Sequence, residues 1–302
     1  MRPSFTWKLR TRSLQLGHRT LVMGVLNVTP DSFSDGARFF ECGPAVEHAL
    51  SMLDDGADIL DLGGESTRPG SRAIETAAEQ YTGVPVEEEL RRVMPVLEGI
   101  HSRRPDALLS IDTYKAEVAR RAVAAGAEIV NDISALRWDP QMPAAVAELA
   151  CGVILMHMRG RPQEWRALPP LTDAVGLVAR ELRQWSQAAM DAGVARDRIV
   201  LDPGFGFGKS FEENYPLLAH FEQLHRLGFP LLAGTSRKSF IGRTLARNGH
   251  DAPPDARLHG SLASTVACIL KGAHIVRVHD VKPAVEAAKI ADAVLAAARL
   301  SS

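Results

Sequence analysis

The amino-acid sequence predicts an α/β protein with the fold of a (β/α)₈ TIM barrel, and three observations support this prediction. Eight short aliphatic runs recur along the chain, amphipathic stretches rich in Ala, Leu, Glu and Arg lie between them, and glycine ends several of these stretches. Apolar strands that alternate with helices are typical of a parallel sheet covered by helices on its outer face. Eight such units in roughly 280 residues fit a closed barrel better than an open, doubly wound sheet.

The predicted elements follow one another in a regular order, and we interpret 1–302 as a single domain. An N-terminal segment, 1–19, contains a predicted two-stranded hairpin over 4–17 that closes the bottom of a barrel spanning 20–302. The aliphatic runs predict strands over 21–26, 59–62, 107–111, 128–133, 152–156, 198–201, 230–233 and 273–278. Amphipathic stretches predict helices over 86–101, 115–125, 173–192 and 281–299.

Composition restricts the class of protein and its partners. Hydrophobic residues make up 46% of the chain and charged residues 24%, so a disordered or fibrous chain is excluded. Thirty-five Lys and Arg against 36 Asp and Glu give a net charge of −1, which argues against a nucleic acid or an anionic membrane as partner. Three widely spaced cysteines favour a reducing compartment. The first ten residues lack a signal-peptide core, so we expect a soluble, cytoplasmic protein.

The barrel prediction places the functional site where the strands end, because the loops after the strands carry the active sites of barrel enzymes. Polar or ionisable residues follow all eight aliphatic runs, which is more than helix capping and turn formation explain. In chain order they are Asn27, Asp61 with 65–68, Asp112, Asn131 with Asp132, His157, Asp202, 236–239, and Arg277 with His279. We therefore predict a binding site at the mouth of the barrel.

Three of these residues, Asp112, Asn131 and Asp202, follow the third, fourth and sixth predicted strands and can converge from different directions. A carboxylate accepts two parallel hydrogen bonds from a 2-aminopyrimidinone edge, and an amide offers both a donor and an acceptor. The same trio could instead coordinate a metal ion, and each member alone could cap a helix. The residue types leave these three possibilities open.

A cationic subsite is predicted beside this trio. GTSRKSFIG at 234–242 follows the seventh strand and opens a helix, whose N-terminus favours anions. RVHD at 277–280 ends the eighth strand and points Arg277 and His279 to the same side. Arg68 adds a further cation from a loop rich in glycine and proline. The mouth of the barrel therefore offers a polyanion subsite next to a pocket for a planar heterocycle.

Two further sequences resemble known sites but are interpreted otherwise. GFGFGKS at 204–210 approaches the phosphate-binding P-loop, yet Pro203 stands where that motif requires glycine. We interpret it as a turn that lets backbone approach a ligand, with Phe205 or Phe207 packing on a planar ring. His157 has no second histidine at metal-ligand spacing, so a buried, hydrogen-bonded histidine is favoured over a metal ligand.

The motifs at the strand ends can be compared with known families. They are GVLNVTPDSFSDG (24–36), DLGGESTRPGS (61–71), SIDTYKAEVA (110–119), NDIS (131–134), LMHMRGRP (155–162), LDPGFGFGKS (201–210), GTSRKSFIG (234–242) and GAHIVRVHDV (272–281). Together and in this order they resemble the dihydropteroate synthase family over nearly the whole chain. NVTPDSFSDG and SRKS are the most specific parts, whereas related pterin-binding methyltransferases share the Asp–Asn–Asp trio.

The resemblance implies a transferase of folate biosynthesis. Such an enzyme joins 6-hydroxymethyl-7,8-dihydropterin diphosphate to 4-aminobenzoate, releases diphosphate and forms 7,8-dihydropteroate, with Mg²⁺ as its cofactor. Sulfonamides are the competitive ligands that the resemblance implies. It also implies a homodimer with the last helices at the interface, although the Ala- and Val-rich face of 281–300 is equally expected for packing on the barrel.

The resemblance also assigns roles to individual positions. It implies a pterin site formed by Asp112, Asn131, Met156, Asp202, Phe207, Gly234 and Lys238. It implies a diphosphate site formed by Asn27, Thr67, Arg277 and His279, with Asn27 also holding Mg²⁺. It implies an aminobenzoate site formed by Phe33, Arg68, Pro69, Lys238 and Ser239, with either Phe205 or Phe207 as a further apolar wall.

The chemistry of such a reaction agrees with these residue types. Departure of diphosphate from a methylene on an electron-rich pterin favours a dissociative route, and the rim cations with Mg²⁺ would stabilise the leaving group. The arylamine is already nucleophilic, so no Ser or Cys nucleophile is assigned. The catalytic residues that we expect are Lys238, Arg68 and Asp35; Asp35 either steadies the cation or forms a turn before Gly36.

Two questions remain open at the level of sequence. The segment 71–85 is longer than in most members of the family, and it either extends an exposed loop or reshapes the aminobenzoate entrance and the response to sulfonamides. The alternative functions are a catalytically silent pterin-binding paralogue and a methyltetrahydrofolate:corrinoid methyltransferase. The second alternative has no use for NVTPDSFSDG or SRKS.

Overall fold

The chain begins with an antiparallel hairpin. In the computed structural model, which describes residues 2–28, 42–65 and 83–300, strand β1 (Phe5–Lys8) pairs with strand β2 (Ser13–Leu16). The N-terminal hairpin predicted from the sequence is therefore confirmed.

Eight parallel strands follow the hairpin. They are β3 (Leu21–Asn27), β4 (Ile59–Gly63), β5 (Leu109–Asp112), β6 (Ile129–Asp132), β7 (Gly152–Met156), β8 (Ile199–Asp202), β9 (Leu232–Ala233) and β10 (Ile275–Val278). Their hydrogen-bonded order is β8-β7-β6-β5-β4-β3-β10-β9. The ring closes between its two ends, because Leu201 bridges Leu231 and donates its N–H to the carbonyl of Pro230 at 3.0 Å. Each strand overlaps one predicted aliphatic run, and the (β/α)₈ barrel is confirmed.

Helices connect the strands and cover the outside of the ring. Those of the described part are α1 (Cys42–Asp54), α2 (Val86–Arg103), α3 (Ala116–Ala124), α4 (Met142–Leu149), α5 (Ala174–Asp191), α6 (Asn214–Ala219), α7 (Ser239–Thr244), α8 (Leu258–Leu270) and α9 (Val281–Leu300). The four predicted helices correspond to α2, α3, α5 and α9. Among the described helices, none has the length and apolar character needed to cross a bilayer.

The hairpin closes the bottom of the barrel as predicted. Trp7 is fully buried, and its indole N–H donates to the carbonyl of Arg198 at 2.8 Å. His274 ties the same end together, because its Nδ1 accepts from the N–H of Leu231 at 3.0 Å while its Nε2 lies 2.9 Å from the carbonyl of Pro3. This arrangement requires a neutral ring that carries its proton on Nε2. Consistently, burial lowers the pKa of His274 to about 4.

Period-two alternation arranges the inward-facing side chains of the strands in layers. The bottom layer is apolar and includes Met23, Ile129 and Ile275, which pack against the hairpin. Outward-facing residues such as Leu60 and Val130 pack in the larger core beneath the helices. Two residues farther along, the inward face of seven of the eight strands presents Val25, Asp61, Asn131, Met156, Asp202, Gly234 and Arg277. Charged and amide side chains therefore appear on the inward face one layer above the residues that pack against the hairpin, and this layer marks the floor of the site.

Candidate active site

A cavity of about 320 Å³ opens at the carboxyl ends of the strands. The predicted site residues that line it are Asn27, Asp112, Phe207, Gly234, Lys238, Ser239, Arg277 and His279. Asn131, Met156 and Asp202 are almost completely buried in the layer of strands next to this lining. A Cβ atom placed on Gly234 would lie 3.9 Å from Oδ2 of Asp202 and 3.8 Å from Cβ of Arg277, so Gly234 lies next to both residues.

Arg277 is held at the base of the cavity by two carboxylates. Its Nε donates to Oδ2 of Asp61 at 2.6 Å, and its Nη2 donates to Oδ2 of Asp112 at 2.6 Å. Asp61 is fully buried, and its Oδ2 also accepts from the amide of Asn131 at 2.9 Å. The other oxygen, Oδ1, has no hydrogen-bond partner in the described part of the chain. Asp61 thus links the predicted diphosphate ligand Arg277 to the predicted pterin ligand Asn131.

Asp112 and Asp202 are protonated more easily than ordinary carboxyl groups. Burial raises the pKa of Asp112 to about 7, although the charge of Arg277 opposes this shift and the charge of Asp61 adds to it. Burial also raises the pKa of Asp202, although the hydrogen bond from the backbone N–H of Gly204 acts to lower it. Burial alone would lower the pKa of Arg277, but the two carboxylates raise it above its ordinary value, so the guanidinium stays charged. A ligand that donates hydrogen bonds to these carboxylates would stabilise their ionised forms.

The cationic side of the cavity is built on the turn before α7. The side chain of Lys238 stands over the ring of Phe207, with Nζ 3.9 Å from the ring centroid. The preceding residue, Arg237, has a left-handed backbone with φ of 57° and forms a two-pronged ion pair with Asp280. Its backbone N–H donates to Oγ of Ser261 at 2.9 Å, which fixes the strained turn to α8. The turn therefore presents Lys238 and Ser239 to the cavity.

His279 is oriented by Ser236. The N–H of His279 donates to the hydroxyl of Ser236 at 3.2 Å, and Nδ1 of the imidazole lies 3.1 Å from the same oxygen. Both residues line the cavity, and both come from the regions after β9 and β10 that the sequence predicts as the anion subsite. The structure therefore places the imidazole beside Arg277 and on the same side of the barrel as Lys238.

A buried ionic cluster lies beside the cavity and was not predicted. Nζ of Lys115 donates to Glu65 at 2.7 Å and also to Glu89, while the hydroxyl of Tyr114 donates to Glu65 at 3.1 Å. Burial raises the pKa of Glu89, although the positive charge of Lys115 acts to lower it. Glu65 itself lines the cavity and is the last described residue before Thr67 and Arg68. No sequence signal reveals this cluster, because its members are 26 and 50 residues apart.

The structure shows which phenylalanine of the glycine-rich turn, Phe205 or Phe207, faces the cavity. Phe205 does not face the cavity: it is 1% exposed and packs between Phe221 and Phe240, with ring centroids 6.3 Å away in each case. Phe207 lines the cavity and meets Trp165 edge to face at 5.7 Å. Trp165 was missed because it lies in a short 3₁₀ turn, Pro162–Ala167, that has no apolar period. Other lining residues without a predicted role are Val25, Gly206, Pro254 and Arg257.

His157 is buried and hydrogen-bonded, as predicted. Its Nε2 lies 3.0 Å from a carboxylate oxygen of Glu181, and its ring stacks on Trp185 with centroids 5.1 Å apart. Burial lowers the pKa of His157 to about 3, so the ring is neutral and donates its Nε2 proton to Glu181.

Several predictions concern residues outside the described part of the chain. They are Phe33, Asp35, Thr67, Arg68, Pro69 and the greater part of the segment 71–85. Their assignments stay predictions.

The chain can now be compared with known proteins. A family model for pterin-binding enzymes matches residues 23–279. The dihydropteroate synthase of Escherichia coli is 47% identical over 285 residues, which are 94% of this chain and 95% of that protein. The dihydropteroate synthase of Bacillus subtilis is 43% identical over 283 residues, which are 94% of this chain and 91% of that protein.

Solved structures agree with this relationship. The dihydropteroate synthase of Xanthomonas albilineans with 4-aminobenzoic acid has a TM-score of 0.85 at 46% identity and covers 97% of this chain and 99% of that one. The dihydropteroate synthase of Yersinia pestis in a sulfonamide drug complex has a TM-score of 0.85 at 42% identity and covers 97% of this chain and 100% of that one.

The barrel, the polar floor of its cavity and the family match define the class: the chain belongs to the pterin-binding enzyme family. Within that family, identity of more than 40% over nearly the full length of several dihydropteroate synthases narrows the function. Its function is that of a dihydropteroate synthase, a transferase.

Proposed function

We propose that the cavity at the mouth of the barrel holds both substrates, 6-hydroxymethyl-7,8-dihydropterin diphosphate and 4-aminobenzoate. One observation carries this assignment: a single cavity has the carboxylate of Asp112 at its base and the cationic side chains of Lys238, Arg277 and His279 on its walls. A planar, hydrogen-bonding heterocycle and a polyanion need these two kinds of surface side by side.

The pterin is bound by the buried acceptors. Asp112 and Asp202 accept hydrogen bonds from the amino and ring N–H groups of the heterocycle, and Asn131 offers a donor and an acceptor. Met156 and Gly234 line the flat faces, and Lys238 reaches the ring from above Phe207. Because Arg277 already donates to Asp112 at 2.6 Å, pterin binding has to replace or share that hydrogen bond.

The amine substrate, 4-aminobenzoate, is bound at the outer end of the cavity, towards Lys238 and Ser239. Phe33, Arg68 and Pro69 complete this subsite. The Xanthomonas albilineans relative was solved with 4-aminobenzoic acid, and the Yersinia pestis relative in a sulfonamide drug complex. We therefore expect sulfonamides to compete with 4-aminobenzoate for this end of the cavity.

The reaction exchanges one bond at the pterin methylene. The C–O bond to diphosphate breaks and its electron pair leaves with the diphosphate; the amine nitrogen then forms a C–N bond and loses a proton. Arg277 and His279 hold the phosphate oxygens and stabilise the charge that develops on them. Lys238 and Arg68 orient the amine, and Asp35 steadies the cationic methylene.

A magnesium ion fits the donor set if the diphosphate brings it. The described residues contain no group of three or more His, Cys, Asp or Glu that could hold an ion by themselves. Mg²⁺ usually keeps several waters and binds through one or two protein oxygens together with substrate phosphates. The carbonyl oxygen of the Asn27 side chain, in the cavity wall, is the protein ligand that we assign. When bound, the ion would neutralise charge on the leaving diphosphate.

The assembly and the compartment are also proposals. Ile290 and Val294 on α9 are 70% and 53% exposed, and a homodimer through the last helices would cover them. Cys42, Cys151 and Cys268 are all free thiols, which supports a cytoplasmic protein. Sedimentation velocity tests the dimer: a monomer at micromolar concentration would contradict it.

The experiment that tests the substrate assignment supplies both substrates with Mg²⁺ and measures diphosphate and 7,8-dihydropteroate. Equal amounts of both products, and loss of activity with a chelator that excess Mg²⁺ restores, are expected. Tight pterin binding without amine-dependent turnover would instead indicate a silent paralogue. Methyl transfer from methyltetrahydrofolate to a corrinoid would indicate the methyltransferase.

A further inference from the structure

The glycine-rich turn 204–208 has a structural feature that the reaction does not explain. Gly204 and Gly208 have φ of 64° and 66°, and Cβ atoms on them would lie 1.9 Å from the carbonyl of His157 and 2.3 Å from that of Arg159. The turn is therefore pressed against the backbone that leaves β7. These glycines allow backbone to approach backbone, rather than to approach a phosphate.

Lys209 lies underneath this turn and binds it from inside the protein. The residue is 7% exposed, and its Nζ donates to the carbonyls of Gly204 at 2.8 Å, Phe207 at 3.2 Å and His157 at 3.4 Å. An ammonium has three N–H donors, and all three are used by backbone carbonyls. In a P-loop the lysine points at a phosphate; here the carbonyls of the loop surround the lysine instead.

The other side of the same turn carries the cavity wall. Phe207 presents its ring to Nζ of Lys238 at 3.9 Å. A Cβ atom on Gly206 would lie 3.4 Å from Cδ of Lys238, so the aliphatic part of that side chain rests on the bare backbone of Gly206. A shift of the turn by a few tenths of an ångström would therefore move Phe207 and change the contacts that support the side chain of Lys238.

A second buried residue holds the turn from the same inner side. The side-chain oxygen of Asn214 accepts from the N–H of Gly206 at 2.7 Å, and its amide donates to the carbonyl of Ser210 at 2.6 Å. Asn214 is 1% exposed. Lys209 and Asn214 thus satisfy the inward-facing polar groups of the turn at both of its ends.

We propose that Lys209 is a positioning residue, which fixes the turn 204–208 so that Phe207 and Lys238 meet 4-aminobenzoate in the correct place. It touches neither substrate. Its role requires the protonated side chain, because a neutral amine has only two donors and turns a lone pair towards the third carbonyl.

The surroundings of Lys209 make this protonation sensitive to pH near neutrality. Burial lowers the pKa of Lys209 to about 7, and the charge of Asp202 opposes the shift. The charged and titratable groups around it are Asp202, Lys238, Arg159, Glu181, Glu213 and the neutral ring of His157. As the pH rises through this pKa and Lys209 loses its proton, we expect the turn to lose one of its three hydrogen bonds to Lys209.

The first test compares Lys209→Met with a matched control. At saturating pterin diphosphate, Lys209→Met is expected to raise the KM for 4-aminobenzoate about tenfold and to lower kcat less than threefold, per folded enzyme. His274→Gln removes a buried side chain that binds backbone at the opposite end of the barrel, so it should lower the unfolding temperature and leave both KM values within twofold. A Lys209→Met enzyme with wild-type KM values and only a lower unfolding temperature would overturn the proposal.

Two further measurements do not depend on how well Lys209→Met folds. In the wild-type enzyme the KM for 4-aminobenzoate should rise at least threefold between pH 6.5 and 8.5, and Asn214→Ala should raise that KM at every pH while keeping this rise. A wild-type KM that is constant over this range would contradict the proposal. In Lys209→Met the KM should be independent of pH, and a persisting rise would show that another group titrates.

A double-mutant cycle tests whether Lys209 acts through Phe207. In a Phe207→Leu background, Lys209→Met should change the KM for 4-aminobenzoate by at most threefold, because the side chain that it positions is already gone. The same tenfold factor in both backgrounds would mean that the two residues act independently.

Discussion

Asp61→Asn is expected to lower kcat/KM for pterin diphosphate by about 10- to 100-fold. The fully buried Asp61 carboxylate accepts from Nε of Arg277 at 2.6 Å, and the substitution replaces this charged acceptor by an amide. A hydrogen bond between charged groups contributes about 1.5–3 kcal/mol, and about 1.4 kcal/mol corresponds to a factor of ten. Arg277 would lose one of its two carboxylate partners and with it the orientation that presents it to the diphosphate.

The pH dependence supplies a second measurement on the same variant. Asp112 has to be ionised to accept from the pterin, so kcat/KM should rise with pH through its pKa, about 7 in the free wild-type enzyme. The charge of Asp61 raises the pKa of Asp112, so Asp61→Asn should move this rise to lower pH. Initial rates at saturating 4-aminobenzoate, from pH 5.5 to 8.5, measure both the size of the loss and the shift.

A matched control separates orientation from stability. Asp292→Asn breaks the pair of Asp292 with the buried Arg2 at 2.8 Å, at the bottom of the barrel. Both variants should unfold at lower urea concentrations than the wild type, but only Asp61→Asn should change kcat/KM. A value for Asp61→Asn within threefold of the wild type would refute the role of Asp61 in holding Arg277.

Three other predictions test different parts of the molecule. Lys238→Ala should lower kcat at least about tenfold, because a charged contact to the substrates is lost; unchanged kinetics would contradict its assignment. Phe207→Ala should raise the KM for 4-aminobenzoate about tenfold, whereas Phe205→Leu should cost about 1 kcal/mol of unfolding free energy and leave KM within twofold; the reverse result would exchange their roles. The pKa of His274 falls from 6.5 to about 4 on folding. Its contribution to the free energy of unfolding is therefore complete above pH 6.5 and is lost as the pH falls towards 4. The loss of unfolding free energy is on the order of 3 kcal/mol, and urea titrations of His274→Gln should not show it.

The strands could be predicted from the sequence because each one is recognisable on its own. A buried parallel strand is a short apolar run, and its aliphatic residues need no knowledge of their neighbours. The ends of the strands were predicted less accurately: the seventh aliphatic run predicts a strand over 230–233, but β9 is Leu232–Ala233. Pro230 lacks an N–H and contributes only its carbonyl, which accepts from Leu201 where the ring closes.

The site could be predicted only in part, because a sequence shows which side chains reach the mouth of the barrel but not which of them meet. The contact between Arg277 and Asp61 joins residues 216 positions apart, and no local pattern indicates it. The residue types left Phe205 and Phe207 as alternatives for a different reason. Gly206, with φ of 79°, reverses the chain between them and breaks the alternation from which their directions could be inferred.

The pairing of the cations explains how a chain of net charge −1 can hold an anion site. Arg277 is bound by Asp61 and Asp112, and Arg237 by Asp280, so these charges are largely neutralised within the protein. Of these carboxylates, Asp112 is the one that we propose as a pterin ligand. If the heterocycle donates to Asp112, Arg277 keeps Asp61 as its anchor and its second nitrogen becomes available to the diphosphate. We therefore expect the two ends of one substrate to reinforce each other's binding, and a diphosphate without a pterin to compete with Asp112 for the same guanidinium.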